Sequence, residues 1–313
     1  MVAVSVIIPA RDAAATIGRA LAAIAKQDLD QPFEVIVVDD GSSDRTSEIA
    51  KRVSLDVALI KQPGAGPGPA RNRGVAAASA ELLAFTDADC FPAPGWLREG
   101  LTSLEDADLV QGRVVPDPTA RLGPFDRTVS VDGEHGLYET ANLFVRRSLF
   151  DDLGGFEDWL GARIGKPLAE DLWFGWRARR AGARTAFCDR AVVHHAVFAR
   201  SALAYAAERT RLVYFPAIAA KMPELRQRFF WRRWFLNRRS AAFDAAVFAL
   251  AAASRSRSAL PLVAAIPYVR LAVRRSRAWG RRAPLVVAGD LAADAVGLLA
   301  LVVGTVRHRS PLL

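Results

Sequence analysis

An α/β fold built on a parallel sheet is what residues 2–90 of this 313-residue chain predict. Short β-branched apolar runs alternate with stretches of helical apolar spacing. The runs are apolar throughout and not at every second position, the pattern of strands covered on both faces. Each run also ends in a polar, turn-forming cluster.

The elements follow in order. Residues 2–8 form a strand stopped by Pro9, and residues 13–26 show helical spacing. FEVIVV at 33–38 is the second strand, followed by Asp39, Asp40, Gly41, Ser42, Ser43 and Asp44 and by a helical stretch from Thr46. VALI at 57–60 is the third; it leads into PGAGPGPARNRG and a helix from about Pro69 to Ser79. Leu82 to Thr86 is the fourth. In open α/β sheets ligands sit beyond the carboxyl ends of the strands, so residues 9–12, 39–43 and 87–90 should converge.

Beyond residue 108 the pattern is mixed. LVQGRVV reads as a strand, 121–139 as loops, ANLFVRR at 141–147 as a strand or a strand-to-helix turn, 168–181 as a helix, and AFCDRAVVHH at 186–195 as a strand. The rest is helical and basic, with apolar stretches at 241–253, 259–273 and 283–306. The expected division is a catalytic domain over 1–215 and a basic, apolar helical region over 216–313.

Composition supports that division. The net charge of +9 conceals +13 on residues 216–313, from 17 Lys and Arg against 4 Asp and Glu, and −4 on the first 215. Positive charge interleaved with long apolar runs fits a membrane surface better than a nucleic acid, for which the acidic part offers no motif. Two cysteines, Cys90 and Cys188, without CxxC or zinc-finger spacing, read as small core residues in a reducing compartment. The opening VAVSVIIP lacks a basic segment and a cleavage site, so no signal peptide is expected.

The sharpest chemical signal is Asp87-Ala88-Asp89 directly after the strand LLAF. Residues two apart point the same way, so two hard carboxylates can address one divalent cation and the phosphate oxygens it bridges. Asp39 and Asp40 end another strand of the same crevice, where carboxylates could accept hydrogen bonds from a base or a ribose. PGAGPGPARNRG offers glycines for close backbone approach and Arg71 and Arg73 near a helix start. It is not a dinucleotide fingerprint, because Gly64, Gly66 and Gly68 are wrongly spaced and Pro67 and Pro69 interrupt them.

SVIIPAR at 5–11, VIVVDDGSSD at 35–44, ARNRG at 70–74, FTDADCFPAPGWL at 85–97, TANLFVRRSLFDDLGGF at 140–156 and AEDLWFGWRARRAG at 169–182 together resemble the family 2 glycosyltransferases. The resemblance runs over residues 4 to about 200. It implies the GT-A nucleotide-sugar fold with a mainly helical C-terminal extension, and an inverting, metal-dependent transfer that uses Mn2+ or Mg2+. The donor-nucleotide set it implies is Pro9, Ala10, Arg11, Asp39, Asp40, Arg71, Asp87 and Ala88. Asp87 and Asp89 would hold the metal, Asp171 of the Glu170-Asp171 pair would be the general base, and His194 or His195 would be a further metal ligand. Adjacent strand residues face opposite sides, so only one of the two histidines can point to the site. No QxxRW follows, which makes the processive polymerising members a poor template.

UDP is the donor such enzymes use most often, and a lipid-linked or cell-envelope hydroxyl is the expected acceptor. Two rival readings are a nucleotidyltransferase acting on a sugar phosphate and a non-catalytic membrane-associated binding module. Pro261 and Pro267 break the stretch 259–273, while 283–306 is long enough to span but carries Asp290 and Asp294 on one helical face. Arginines flank the latter stretch on both sides, against the positive-inside rule. Interfacial helices on the cytoplasmic membrane face satisfy these constraints, and the same helices could pair two copies of the chain.

Overall fold

The computed structural model describes residues 2–160 and 168–313. They form two compact units: residues up to Arg121 with Thr128–Val197, and Leu122–Arg127 with Phe198–Leu313. The division therefore falls after Val197 instead of at the expected 215/216, because the helical segments over 202–221 pack on the last helix of the chain.

The first unit holds one eight-stranded sheet. Its strands are β1 (Val4–Ala10), β2 (Phe33–Asp40), β3 (Val57–Gln62), β4 (Leu82–Thr86), β5 (Cys90–Pro92), β6 (Leu109–Pro116), β7 (Asn142–Arg146) and β8 (Thr185–His195), in the order 3-2-1-4-7-6-8-5. Among the described residues its helices are α1 (Ile17–Ile24), α2 (Thr46–Arg52), α3 (Pro67–Ala77), α4 (Trp96–Leu104), α5 (Arg147–Asp152) and α6 (Glu170–Arg180). β1 to β4 are parallel, as their alternation with helices requires, and β1 and β2 are buried along most of their length.

The sheet as a whole is mixed. β7 runs antiparallel between β4 and β6. β6 and β7 are consecutive and joined without a helix, the connection that permits antiparallel pairing. β5 pairs antiparallel with the end of β8, Cys90 lying opposite His195.

The core around β7 is fixed by a buried amide. Asn142 accepts a hydrogen bond from the Trp96 indole at 2.8 Å and donates to the carbonyls of Arg113 (2.8 Å) and Ala191 (2.7 Å), tying β7 to β6, β8 and α4. Leaving any of these groups unpaired in the interior would cost about 1–3 kcal/mol. Within α6, Gly175 faces the Tyr138 ring so closely that an added Cβ would fall 2.0 Å from its Cδ2.

The second unit is helical: α7 (Ala202–Glu208), α8 (Phe215–Lys221), α9 (Leu225–Arg228), α10 (Arg238–Ser256), α11 (Ile266–Arg277) and α12 (Ala283–His308), with 3-10 turns between. Asn237 starts α10 through a capping box with Ser240. Asp290 and Asp294 of α12 do share a face, and it is turned to the interior. The Arg239 guanidinium donates to Asp294 at 2.7 and 2.9 Å and lies 3.3 Å from Asp290. Arg275 lies 2.9 Å from Asp290, and the Tyr268 hydroxyl donates to Asp294 at 2.8 Å. Phe248, Leu250, Leu260, Val263, Leu299 and Val306 are exposed. By length and composition alone, the segment Gly280–His308 is long and apolar enough to cross a membrane.

Candidate functional site

The strand ends of β1, β2 and β4 meet as the topology requires, with Pro9 opposite Val38 and Ala10 opposite Asp39. Just past β1, Asp12 adopts a left-handed backbone (φ 47) and accepts from the Ser43 amide at 2.8 Å and the Ser43 hydroxyl at 2.9 Å. Asp39 accepts from the Ser42 amide at 2.9 Å and from the Ser47 hydroxyl. Burial raises the pKa of Asp39, but these hydrogen bonds outweigh it and hold the carboxyl below its ordinary value.

Asp40 accepts from Gln62 Nε2 at 2.7 Å and from the Ala65 and Gly66 amides, both at 2.8 Å. The two aspartates expected at a nucleotide thus hold the loops 41–47 and 62–66 that border the crevice. Gly41, at φ 75, permits the sharp turn there, and the exposed Arg11 lies against Gly64.

Arg71, on α3, is 4% exposed and joins two elements distant in sequence. Its Nη2 lies 2.7 Å from Asp87 Oδ1 at the end of β4, and its Nη1 lies 3.3 Å from Glu170 Oε1 at the start of α6. Burial opposes the charge of the guanidinium, yet Asp87, Glu170 and Asp171 outweigh it and raise its pKa. Arg71 therefore faces carboxylates, with its Nε left unpartnered.

Ala169 precedes α6 in a left-handed conformation (φ 64), a costly one for a residue with a Cβ. That turn delivers Glu170 and Asp171 at the helix N-terminus. Burial, then the charge of Glu170, pushes the Asp171 carboxyl up to about 8, against the pull of Arg71 and with further repulsion from Glu139. Glu139 is itself raised by burial. Sequence reasoning passed over this third carboxylate because it lies in a stretch read as loop, without a motif to mark it.

The other side of the Asp87-Ala88-Asp89 turn meets the end of β8. His195 is buried, with Nε2 3.6 Å from Asp89 Oδ2, and Asp89, Cys90 and His195 bring their donor atoms within 4.8 Å of one another. Nδ1 of His195 lies 2.7 Å from the Ala196 carbonyl, which can only accept, so Nδ1 donates there and Nε2 is the nitrogen turned to Asp89. His194 falls on the opposite face of the strand, where its Nδ1 has no hydrogen-bond partner.

This donor set fits a hard divalent cation through the Asp89 oxygen and the His195 nitrogen. Cys90 fits less well, because burial and then Asp87 and Asp89 hold its thiol protonated, far above the ordinary cysteine range. Asp87, Asp89 and Glu170 lie at this site beside the Arg71 guanidinium, a surplus of carboxylates that a cation would relieve.

Residues 5–154 match the profile of the family described as glycosyl transferase family 2. The glycosyltransferase AglE of Haloferax volcanii is 35% identical over 173 residues, which are 50% of this chain and 57% of that protein. Among solved structures, the mannosyltransferase PcManGT from Pyrobaculum calidifontis in complex with GDP-Man and Mn2+ aligns over 98% of this chain and 86% of its own, at 22% identity and a TM-score of 0.59. S. aureus TarS 1-349 in complex with UDP aligns over 98% and 92% at 21% identity and a TM-score of 0.52. These likenesses carry the fold, which is the GT-A arrangement with a helical C-terminal region. The chain spans less than two thirds of the length of the curated relative.

Proposed function

We propose that the protein, whose residues 5–154 match the glycosyl transferase family 2 profile, transfers a sugar from a nucleoside diphosphate donor to an acceptor hydroxyl with inversion. Asp171 takes the acceptor proton, the acceptor oxygen bonds to the anomeric carbon, and the bond from that carbon to the diphosphate breaks. No covalent sugar intermediate forms. A divalent cation, Mn2+ or Mg2+, would be held by Asp89 and His195 with Asp87 alongside, and would supply neutralisation of the leaving diphosphate.

The observation that carries this reading is Arg71. One buried guanidinium connects Asp87 of the metal turn to Glu170 beside the base, so leaving group and acceptor are handled by one rigid assembly. Asp39 and Asp40 act by holding the loops against which the nucleotide rests, with Pro9, Ala10, Arg11 and Ala88 lining the same crevice. Neighbours bound to UDP and to GDP-Man support a nucleotide sugar and leave the base open.

A panel of UDP-, GDP- and dTDP-sugars, screened with Mn2+ for thermal stabilisation and for release of nucleoside diphosphate, tests the proposal. Stabilisation by one donor together with acceptor-dependent release is expected. Pyrophosphate release from a nucleoside triphosphate and a sugar phosphate would replace it with nucleotidyl transfer. Binding without any turnover would leave a binding module.

The second unit supports work at the cytoplasmic membrane face on a lipid-linked or envelope acceptor. Asp290 and Asp294 are paired inside it, and its exposed side chains include many large apolar ones, flanked by arginines suited to anionic head groups. Membrane fractionation checks this: release by high salt or alkaline carbonate is expected for surface attachment, and carbonate resistance would indicate a span. A detergent-independent dimer in the soluble fraction would show that a second copy covers the apolar face.

A further inference from the structure

Arg19 lies outside every motif noted above, half exposed on α1, yet it joins the two strands that flank the end of β8. Its guanidinium sits over the Phe91 ring of β5, 3.9 Å from the centroid. The same group grips Asp117, just past β6, with both terminal nitrogens; the contact from Nη2 to Oδ1 is 2.9 Å. Asp117 is buried and further fixed by the Thr119 amide at 3.0 Å and hydroxyl at 2.8 Å.

These contacts converge on one residue. The Asp117 amide donates to the His195 carbonyl at 2.9 Å, and the last step of β8 pairs His195 with Pro116 on one side and Cys90 on the other. Cys90 follows Asp89 directly, and the Ala196 amide donates to the Asp89 carbonyl at 2.9 Å. The spacing of Asp89 from His195 therefore depends on how far β5 stands from β6. Arg19 touches the side chains at both, Phe91 of β5 and Asp117 just past β6.

Resting on the metal reading above, we infer that Arg19 is a positioning residue for the cation site: through Phe91 and Asp117 it sets the distance between Asp89 and His195. Groups that orient a ligand without touching the ion typically alter metal affinity by about 10–100-fold. When the half-exposed guanidinium is removed, the buried Asp117 keeps its hydrogen bonds from the Thr119 amide and hydroxyl, so the chain should stay folded at a lowered melting temperature. The effect on cation affinity should thus exceed what loss of folded protein accounts for.

The test is Mn2+ binding to the full chain, followed by electron paramagnetic resonance of the free ion with UDP or GDP present. Arg19→Ala should weaken Mn2+ binding about tenfold or more in a chain that is still folded at the assay temperature and melts cooperatively. Arg19→Lys, which keeps the cation over Phe91 and loses the two-point grip, should fall between. Wild-type Mn2+ affinity in Arg19→Ala, or a loss matched by global unfolding in circular dichroism, would overturn the inference. Undiminished Mn2+ binding by Asp89→Asn would instead overturn the metal reading on which it rests.

Discussion

In the first unit Ile7, Leu83 and Phe144 fill the interior, and the charged groups that remain inside are gathered at the strand ends around Arg71. In the second unit Phe243, Val286 and Leu301 are likewise buried, the Arg239 pairs with Asp290 and Asp294 lie among the helices, and Phe248, Leu260 and Val306 face outward. The first is organised as folding in water requires, by removing apolar area from solvent. The second does the same and in addition leaves large apolar side chains on its surface, as suits the membrane attachment proposed for it. The proposed chemistry and the proposed attachment thereby fall in separate parts of the chain.

The largest expected effects sharpen the catalytic side. Asp89→Asn should abolish transfer, a loss beyond about a thousandfold in kcat, in a protein that still melts cooperatively; near-wild-type turnover in a metal-dependent assay would remove Asp89 from the site. Asp171→Asn should cost about 10² to 10⁴ in turnover while keeping donor-induced stabilisation. Weakened donor binding with unchanged turnover of bound donor would assign Asp171 a binding role.

Asp171 also sets a pH dependence. Its pKa is raised on folding, so the stability it contributes is complete below the unfolded value near 4 and is lost as pH rises toward about 8. Over the same interval the free enzyme gains the ionised base, so turnover should climb as stability falls. Asp171→Asn should flatten the stability profile, read by thermal melts of the metal-free protein between pH 4 and 8.

The second unit should respond to charge where the first responds to volume. Removing Arg239 as Arg239→Ala leaves Asp294 inside with only the Tyr268 hydroxyl, while Asp290 keeps Arg275, and should cost about 3 kcal/mol, measured by thermal unfolding in detergent. Replacing Arg239, Asp290 and Asp294 by Met and Leu should restore most of it, since a buried ion network is often no better than apolar packing. Smallest is the expected effect of Leu260→Gln with Val306→Gln: unchanged melting in detergent, and a few-fold loss of binding to anionic vesicles. Vesicle binding equal to wild type would break the contrast between the two surfaces.

Much of this was legible in the chain. Fully apolar runs ending in Pro9, Asp40 and Asp87 gave the parallel strands and the crevice, because two-sided burial leaves a continuous pattern. The direction of β7 was not, since NLFVR reads the same in either sense. Choosing between His194 and His195 required the register of β8 against Cys90, set by a three-residue strand too short to signal itself. The donors that occupy Asp40 come from a loop over twenty residues away, and spacing alone could not show that Arg71 faces carboxylates. The shared face of Asp290 and Asp294 was readable from their separation, whereas Arg239 and Arg275, their partners, were not.

Gly175 stands four residues beyond Asp171, on the same side of α6, and its bare Cα is pressed against Tyr138, the residue before Glu139. A single methyl group at 175 would have nowhere to go except by lifting the helix that carries the base. Displacing a reacting group by about 1 Å can cost a hundredfold in rate. Position 175 is thus one where a single methyl group, Gly175→Ala, is expected to displace the proposed base and lower turnover about a hundredfold, and where a smaller side chain at 138 should restore it.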